Sequence, residues 1–432
     1  MARAKIAYVG GGSTRAPGTM LSFLDKAADF SGSEFVLVDL DPDRLEVVSR
    51  LTRRMAQHRA VDVTISTTTD RRTGLEDCDV VLTSFRPGGF EARVLDERLP
   101  LRHGVIGQET QGPGGFFMAL RSINVFQSIA AEIESVCPGA WICNYTNPVN
   151  VVAEAMTRNT GIPTVSLCEG PILFPARLAR RAGLDQDRVE ATMIGLNHAS
   201  WSVSHTYEGG DLMPLVVDAF DRKKDDPATT PDDRRLLELA ATMGAIPAEY
   251  LKYYYYEDEI LEELRHKPTT RAEDILAEVA GYWEHYEEQA AADVPLLDPG
   301  KSRRGIQELE LAVDVIGAVL NERDEVHPVN VPNRGALPGF PDELVVEVPG
   351  RVTHAGVEPL RQPPLPRHVL GVIEMLAEHQ TLTAEVAWSG GRRDAIRALA
   401  SNPLVRSLPK AQAIYDEMSA AQADWLPARL VA

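Results

Sequence analysis

Long apolar segments are absent from this sequence of 432 residues, which has no run of about 18 or more apolar residues such as a membrane-spanning helix needs. Basic residues are also too few to balance the acidic ones: 44 lysines and arginines face 63 aspartates and glutamates, and the net charge is −19. A nucleic acid or an anionic membrane surface is bound by a basic face that neutralises phosphates. We therefore expect neither of them as a partner.

Cysteine is rare and irregularly spaced, at positions Cys78, Cys137, Cys143 and Cys168. In a chain of this size, four such residues indicate buried thiols, or one metal ligand among bystanders, and argue against a disulfide framework. The strand-like residues 6–9 are too short for a signal peptide, and glycines at positions 10–12 interrupt them. We expect a cytoplasmic protein.

What is present is an alternation of short β-branched runs with amphipathic stretches in the first half of the chain. The predicted strands are residues 5–9, 34–39, 62–66, 79–84, 140–144, 163–167 and 191–195. The predicted helices between them include residues 19–30, 42–59, 119–136 and 171–183. Such alternation is typical of a parallel sheet with helices on both faces, so we predict an α/β fold with a Rossmann-type doubly wound sheet.

The second half of the chain has a different texture. It is predicted to hold charged helices near residues 231–243, 248–265, 271–291 and 304–322, then a β-rich segment at 327–356, then helices to the end. The loop from Lys223 to Asp233, rich in Asp, Pro and Thr, is the best candidate for a flexible connection. We divide the chain into a Rossmann-like cofactor domain, residues 1–197, and a mixed, mainly helical domain, residues 198–432.

A glycine-rich turn follows the first predicted strand and consists of Gly10, Gly11, Gly12, Ser13 and Thr14. Glycines let the backbone approach a pyrophosphate, and the following helix N-terminus supplies free N–H groups. Arg15 replaces the third glycine of the usual dinucleotide motif, so the turn alone is weak evidence. The second strand ends at Asp39, whose carboxylate can bind the adenosine ribose and repel a 2′-phosphate. The pattern favours NAD over NADP, the alternative being a simple glycine turn beside an exposed aspartate.

Five further motifs follow the glycine turn in one order along the chain. They are Gly107-Gln108-Glu109-Thr110-Gln111-Gly112-Pro113-Gly114-Gly115, Asn144-Tyr145-Thr146-Asn147-Pro148, Leu167-Cys168-Glu169-Gly170, Gly195-Leu196-Asn197-His198 and Asn330-Val331-Pro332-Asn333-Arg334-Gly335. This set resembles glycoside hydrolase family four, the NAD- and divalent-metal-dependent glycosidases. The resemblance covers residue 5 to about residue 350, and within the family it is nearest to the 6-phospho-β-glucosidases, through residues 85–89, 96–101 and 250–254.

The resemblance implies a fold like that of lactate and malate dehydrogenases, and an activity. The chain would hydrolyse an O-glycosidic bond, that of a 6-phospho-β-glucoside, by oxidation at sugar C3 with NAD, deprotonation at C2, elimination, water addition and re-reduction. Cys168 and His198 match the two protein ligands of a divalent metal, usually Mn²⁺, although a thiolate and an imidazole by themselves suit softer ions. Tyr250 aligns with the catalytic base, although it opens a run of five tyrosines at 250–256 that could simply be packing.

The remaining site residues are also implied by the resemblance. Glu109 corresponds to the carboxylate that supports the metal-bound water and the nicotinamide side of the site, and Asn147 to a contact with the substrate and cofactor, unless it only caps a turn. Arg93, Asn197 and Arg271 correspond to substrate contacts. Arg271 is the candidate for the sugar phosphate, because a guanidinium binds phosphate in a bidentate manner, against the alternative of a solvated helix residue.

Glu169 departs from the family pattern. Members specific for β-glycosides usually carry Asn after the cysteine, and α-specific members often carry Asp as a general acid. A glutamate here could protonate the leaving oxygen, act as a third metal ligand, or repel a phosphorylated substrate. The anomeric preference and the 6-phosphate therefore stay open.

Two other classes of protein compete with this interpretation. A dehydrogenase of the lactate/malate type would release NADH and would need neither Tyr250 nor the metal pair, by which we mean the two candidate ligands Cys168 and His198. A non-catalytic NAD-binding sensor would have no need of Cys168, His198 and Tyr250 together. The prediction is an NAD-dependent glycosidase that assembles as a homodimer or homotetramer.

Overall fold

A computed structural model describes residues 3–303 and 309–431. Its strands are β1 (Lys5–Val9), β2 (Glu34–Val38), β3 (Thr64–Thr68), β4 (Val80–Thr83), β5 (Trp141–Asn144), β6 (Thr164–Ser166), β7 (Val189–Leu196), β8 (Ala199–Tyr207), β9 (Gly210–Asp211), β10 (Glu325–Pro332), β11 (Val345–Thr353) and β12 (Gly356–Pro359).

The helices on the N-terminal side are α1 (Ala16–Asp25), α2 (Ala27–Phe30), α3 (Pro42–His58), α4 (Arg71–Leu75), α5 (Gly89–Arg102), α6 (Gly112–Val136), α7 (Val149–Asn159) and α8 (Gly170–Ala182). They continue with α9 (Met213–Lys223), α10 (Pro231–Met243), α11 (Lys252–Tyr255), α12 (Glu257–His266), α13 (Arg271–Ala291), α14 (Glu310–Leu320), α15 (Arg367–Ser389), α16 (Arg392–Ser401) and α17 (Leu408–Ala421). Short 3-10 turns lie at Gln186–Arg188, Glu249–Leu251, Ala423–Trp425 and Ala428–Leu430.

Within the described residues, the strands form one sheet in the order β3-β2-β1-β4-β5-β6-β10-β11-β7-β8-β9, with β12 paired to β11. The first six strands are parallel, and their order is that of a Rossmann sheet. From β10 onward the pairing is antiparallel. The predicted doubly wound sheet is therefore confirmed, with an antiparallel extension.

Both faces of five parallel strands, β1, β2, β4, β5 and β6, are buried, which explains why these strands are continuous apolar runs, whereas the edge strand β3 is partly exposed. Alternate residues of β1 point to opposite faces: Ala7 and Val9 belong to a core packed by α6, α7 and α15–α17. Ile6 and Tyr8 belong to a second core packed by α1, α3 and α14. The sheet therefore lies between two helical layers.

Most predicted elements are present, and the differences have local causes. The predicted helix 119–136 begins earlier, at Gly112. Pro113 is compatible with this start, because a proline is tolerated in a first helical turn. Gly114 is required by close packing, because a Cβ there would lie 2.1 Å from the Gln108 carbonyl oxygen. The predicted helix 248–265 is broken into three pieces. The first residues of the predicted helix 304–322, residues 304–308, lie outside the described residues.

Strands β8 and β9 and helices α4, α5, α7 and α9 were not predicted. The loop expected to be flexible connects α9 to α10, which pack together with α8. The sheet itself crosses the proposed boundary at residue 197, since β6 pairs with β10 and β11 with β7. The division into residues 1–197 and 198–432 stays a prediction.

No helix in the described part of the chain is long and apolar enough to cross a membrane.

Candidate active site

The carboxyl ends of the parallel strands bring the glycine turn and the acid of the second strand together. Gly10 has a φ of +99°, and a Cβ there would lie 2.2 Å from the Ser84 carbonyl oxygen, so only glycine fits. The backbone nitrogen of Gly12 donates to Asp39 Oδ2 at 2.9 Å. The turn and the carboxylate are thus in direct contact, and the predicted role of Asp39 in binding a ribose stays a prediction.

Helix α1 begins at Ala16, three residues earlier than the predicted helix 19–30, and Arg15 gives its first turn no side-chain cap. Ser13 and Thr14 line a cleft of about 130 Å³ between this turn and the end of β5. The cleft is also lined by Arg86, Phe90, Tyr145, Asn147 and Arg303, among others. An uncapped helix start beside arginines suits a pyrophosphate, so these residues fit a dinucleotide.

Cys168 and His198 lie side by side, although thirty residues separate them in the chain. Cys168 follows β6, and His198 occupies the two-residue turn between β7 and β8. The distance from Cys168 Sγ to His198 Nε2 is 3.7 Å. Two ligands of one tetrahedral zinc-like ion would be about 3.6 Å apart, from metal–sulfur and metal–nitrogen bonds of about 2.3 and 2.1 Å. The donor atoms are thus spaced to share a cation.

Burial controls the ionisation of both groups in the metal-free chain. It raises the pKa of the Cys168 thiol to about 12, with the Glu347 carboxyl adding to the effect. It lowers the pKa of His198 to about 4, against a smaller opposing influence of Glu109. His198 is therefore neutral and keeps a lone pair for a metal.

The turn that carries His198 is strained and held from below. His198 has a φ of +63°, a conformation that non-glycine residues seldom adopt without support. The neighbouring Asn197 donates from Nδ2 to Glu347 Oε2 at 2.8 Å, and Ser200 donates from Oγ to Glu347 Oε1 at 2.9 Å. Asn197 also lies close enough to the Cys168 thiol to lower its pKa, against the larger effect of burial. This places Asn197 in the support of the metal pair, and its predicted sugar contact stays a prediction.

Tyr250 packs directly on the metal pair. Its ring stacks on the His198 imidazole with 3.8 Å between centroids and 16° between planes. Burial raises the pKa of the Tyr250 phenol, and the nearby Cys168 and Glu109 raise it further. The other tyrosines of the run face several directions: Tyr255 packs on Trp201, and Tyr256 donates to Glu238. Tyr250 thus differs from Tyr255 and Tyr256 in that its ring contacts a candidate metal ligand.

Glu109 is held as an anion between two arginines. It pairs with Arg86, and its Oε2 lies 2.8 Å from Arg93 Nη1. Burial alone would raise the pKa of Glu109, but the two guanidinium groups together hold it well below its usual range. Arg93 is also 2.7 Å from Glu97, so its charge is balanced within the protein. Glu109 can therefore accept hydrogen bonds or orient a water, but it cannot donate a proton.

Glu169 lies beside the cysteine and turns toward β5. Its Oε1 accepts a hydrogen bond from the Tyr145 hydroxyl at 2.9 Å and one from the Leu311 backbone nitrogen at 3.3 Å. Across residues 3–303 and 309–431 no group of three or more His, Cys, Asp or Glu side chains is arranged to hold a metal. The hypothesis that Glu169 is a third metal ligand therefore gains no support.

Arg93 and Arg271 line a second cleft, of about 320 Å³, together with Gln108 and Tyr253. Arg271 is exposed and opens helix α13. Neighbouring cations of this cleft are paired: Arg98 contacts Glu273, and Lys267 lies 2.7 Å from Asp274. The described residues show no ion pair or hydrogen bond from the Arg271 side chain, so its charge is available to a ligand.

Several residues of the site were not predicted. Arg86, Thr110 and Tyr145 lie inside quoted motifs but gave no individual signal, and Arg303 lies outside every quoted motif. Glu347 could have been found, because a glutamate in the middle of the valine-rich strand β11 must be buried and needs partners.

The parallel sheet, the glycine turn and the Cys168–His198 pair define a class of protein: an enzyme that combines a dinucleotide-binding fold with a candidate metal site. Comparison with known sequences gives the family. Residues 5–184 match the Family 4 glycosyl hydrolase sequence model, and residues 193–405 match the Family 4 glycosyl hydrolase C-terminal domain. The chain belongs to family 4 of the glycosyl hydrolases, so the dehydrogenase alternative is not favoured.

Two relatives agree with this assignment over the full length. A probable 6-phospho-beta-glucosidase of Bacillus subtilis (strain 168) is 36% identical over 98% of this chain and 97% of its own. A 6-phospho-beta-glucosidase of Escherichia coli (strain K12) is 31% identical over 98% of this chain and 96% of its own.

Solved structures with the same fold include both anomeric classes. A 6-phospho-alpha-glucosidase from gut microorganisms, in complex with NAD and Mn²⁺, has a TM-score of 0.87 and 25% identity over 98% of this chain and 99% of that one. The 6-phospho-beta glucosidase of Thermotoga maritima, with NAD and glucose-6-phosphate, has a TM-score of 0.85 and 26% identity over the same shares. A malate dehydrogenase of Plasmodium falciparum, at 14% identity and a TM-score of 0.53 over 89% of this chain and 100% of that one, shows the fold alone.

Proposed function

We propose that this chain binds NAD and a divalent cation, with Mn²⁺ as the first candidate, and hydrolyses the glycosidic bond of a 6-phosphoglucoside. The observation that carries the proposal is the Cys168–His198 pair, spaced at 3.7 Å and covered by the Tyr250 ring, at the same sheet edge as the glycine turn. The names of the relatives and the ligands of the neighbouring structures support it. The cytoplasmic location and the homodimer or homotetramer stay predictions.

NAD would bind along the glycine turn, with its pyrophosphate at Ser13 and Thr14 and its adenosine ribose at Asp39. One contact of Asp39 is already used, since Oδ2 accepts from Gly12, but each carboxylate oxygen can accept more than one hydrogen bond. Asn147 lines the same cleft and would lie where the nicotinamide and the sugar meet.

The cation would be held by Cys168 and His198, leaving its other positions to sugar hydroxyls and water. Two protein ligands are few for a resident metal, so binding should be loose and should require a reduced cysteine. Glu109, kept ionised by Arg86 and Arg93, would orient water on the nicotinamide side.

When bound, NAD accepts a hydride from C3 of the sugar, and the cation stabilises the enolate left after the C2 proton departs. Tyr250 is the proposed base at C2. Because burial raises its pKa, the phenol needs positive charge nearby to give up its own proton first. The C1 substituent then leaves by elimination, water adds at C1, and return of the hydride to C3 regenerates NAD.

Glu169 is the proposed acid for the leaving oxygen. The Tyr145 hydroxyl holds its Oε1, which orients the carboxyl beside the metal pair. A proton donor at this point would help poor leaving groups. Since family members of both anomeric classes share the fold, the preference for α- or β-linked substrates is decided by experiment.

The deciding experiment is a panel of nitrophenyl α- and β-glucosides, each with and without a 6-phosphate, assayed with NAD, Mn²⁺ and a thiol. We expect cleavage of 6-phosphorylated substrates only, and no accumulation of NADH at 340 nm. Faster cleavage of the free glucosides would overturn the substrate class, and steady NADH release would favour a dehydrogenase.

A further inference from the structure

A chain of hydrogen bonds behind the metal pair joins Tyr254, Gln111, Thr110 and His198. The Tyr254 hydroxyl lies 2.6 Å from Gln111 Oε1, and Gln111 Nε2 lies 3.3 Å from Thr110 Oγ1. Thr110 Oγ1 is in turn 2.9 Å from His198 Nδ1, the ring nitrogen that faces away from Cys168. The chain has no role in the proposed chemistry so far.

The direction of each hydrogen bond in this series is fixed by a fifth residue, Gln108, which contacts Thr110. The backbone N–H of Thr110, which can only donate, lies 2.6 Å from Gln108 Oε1. This contact identifies that atom as the amide oxygen, an acceptor. The Thr110 hydroxyl, 3.0 Å from the same oxygen, must therefore donate its single proton to it.

Once that proton is used, Thr110 Oγ1 offers only its two lone pairs. One lone pair accepts from the amide group of Gln111, which turns the amide oxygen of Gln111 toward Tyr254. The other faces His198 Nδ1 at 2.9 Å, and a hydrogen bond there requires the proton to be on Nδ1. A neutral imidazole protonated on Nδ1 has its free lone pair on Nε2, the atom that faces Cys168.

We infer that Thr110, oriented by Gln108 and supported by Gln111 and Tyr254, is a positioning residue that selects the metal-binding tautomer of His198. The inference deepens the proposed function and rests on its metal site. The hydroxyl also holds the ring at the angle at which it stacks on Tyr250. Partners of this kind behind a metal-binding histidine are typically worth about 10- to 100-fold in metal affinity.

The test replaces Thr110 by valine, which keeps the shape and removes the hydroxyl, and by serine, which keeps the hydroxyl. Binding of Mn²⁺ to the full chain is measured by electron paramagnetic resonance, and binding of NAD by calorimetry. We expect Thr110→Val to weaken Mn²⁺ binding about 10- to 100-fold and Thr110→Ser to stay near the wild type, with NAD binding unchanged in both. Wild-type Mn²⁺ affinity in Thr110→Val would overturn the inference.

A second pair of variants keeps the inference testable if Thr110→Val does not fold. Tyr254→Phe removes the donor that orients Gln111 and should weaken Mn²⁺ binding by a smaller factor. Tyr256→Phe, from the same tyrosine run but bonded to Arg235 and Glu238, is the matched control and should leave Mn²⁺ binding unchanged. Equal effects of Tyr254→Phe and Tyr256→Phe on Mn²⁺ binding would refute the claim that the hydrogen bonds from Tyr254 to His198 support the metal site.

A spectroscopic measurement separates this inference from the proposed function. In metal-free protein labelled with ¹⁵N-histidine, assigned with His198→Gln, the ring should show the proton on Nδ1 in the wild type and lose that preference in Thr110→Val. A proton on Nε2 in the wild type would refute the inference whatever the enzyme does. The expected tautomer together with no Mn²⁺ binding would refute the metal site and leave the tautomer assignment standing.

Discussion

Glu347 makes stability depend on pH in a way that can be calculated. Its side chain is buried, and its carboxyl accepts hydrogen bonds from Asn197, Ser200 and Asn330. Burial raises its pKa to about 7, with those three partners lowering it in part, from an ordinary value of 4.5. The folded chain therefore binds a proton more tightly than the unfolded chain, and that stabilisation is present at low pH and lost as pH rises through about 7.

The size of the effect follows from the two pKa values. Between pH 5.5 and pH 8.5 the contribution of Glu347 to the free energy of unfolding should fall by about 2 kcal/mol. Glu347→Gln cannot ionise and keeps groups able to bond Asn197 and Ser200, so it lacks this loss. We expect the free energy of unfolding of the variant, relative to the wild type, to rise by about 2 kcal/mol over that interval.

The assay is urea unfolding of both proteins, followed by circular dichroism at the two pH values. Titration of other groups cancels in the difference between variant and wild type. Glu190→Gln, at the exposed start of β7, controls for the loss of one negative charge. A difference between Glu347→Gln and wild type that is the same at both pH values would refute the argument, because it would mean that Glu347 ionises alike in the folded and unfolded chains.

Three further predictions concern ligands. Arg271→Ala should lower kcat/KM for 6-phosphorylated substrates by roughly 10- to 100-fold and leave kcat/KM for free glucosides unchanged. Lys267→Ala is the control, because Lys267 is already paired with Asp274, and it should change kcat/KM for neither substrate type. Equal losses on both substrate types after Arg271→Ala would refute the phosphate role. Asp39→Asn should shift the ratio of NAD to NADP affinity, measured by fluorescence titration, about tenfold toward NADP, and an unchanged ratio would exclude a ribose contact. Tyr250→Phe should keep NAD and Mn²⁺ binding but lower kcat by roughly 10²–10⁴-fold, and a smaller loss would point to another base.

The parallel half of the fold could be predicted because its strands carry their own evidence. Buried on both faces, they appear in the sequence as short β-branched runs, and the turns between them end in chemically distinctive residues such as Gly10 and Asp39. Strand β8 was missed although its serines alternate with Trp201 and Val203, the period-two pattern that favours a half-buried strand, and although it follows β7 after only a two-residue turn. Helix α6 was shortened in the prediction because glycines are poor helix formers in isolation, whereas packing at Gly114 requires one.

Several members of the candidate site could be predicted, but their arrangement could not. The motifs singled out Cys168, His198 and Tyr250, and the structure brings these three together. Spacing along the chain says nothing about which polar side chains meet behind them, because such contacts depend on tertiary packing. The partners of Glu347 and the hydrogen-bond direction at Thr110 therefore emerged only from the fold.

The account depends most on the claim that bond cleavage passes through oxidation of the sugar and loss of its C2 proton. The direct measurement is hydrolysis of a 6-phosphoglucoside in deuterated water by protein stripped of dinucleotide, with and without added NAD. The account predicts cleavage only when NAD is added, with deuterium at C2 of the released sugar. Undiminished cleavage without NAD, and a product that carries no deuterium at C2, would contradict it.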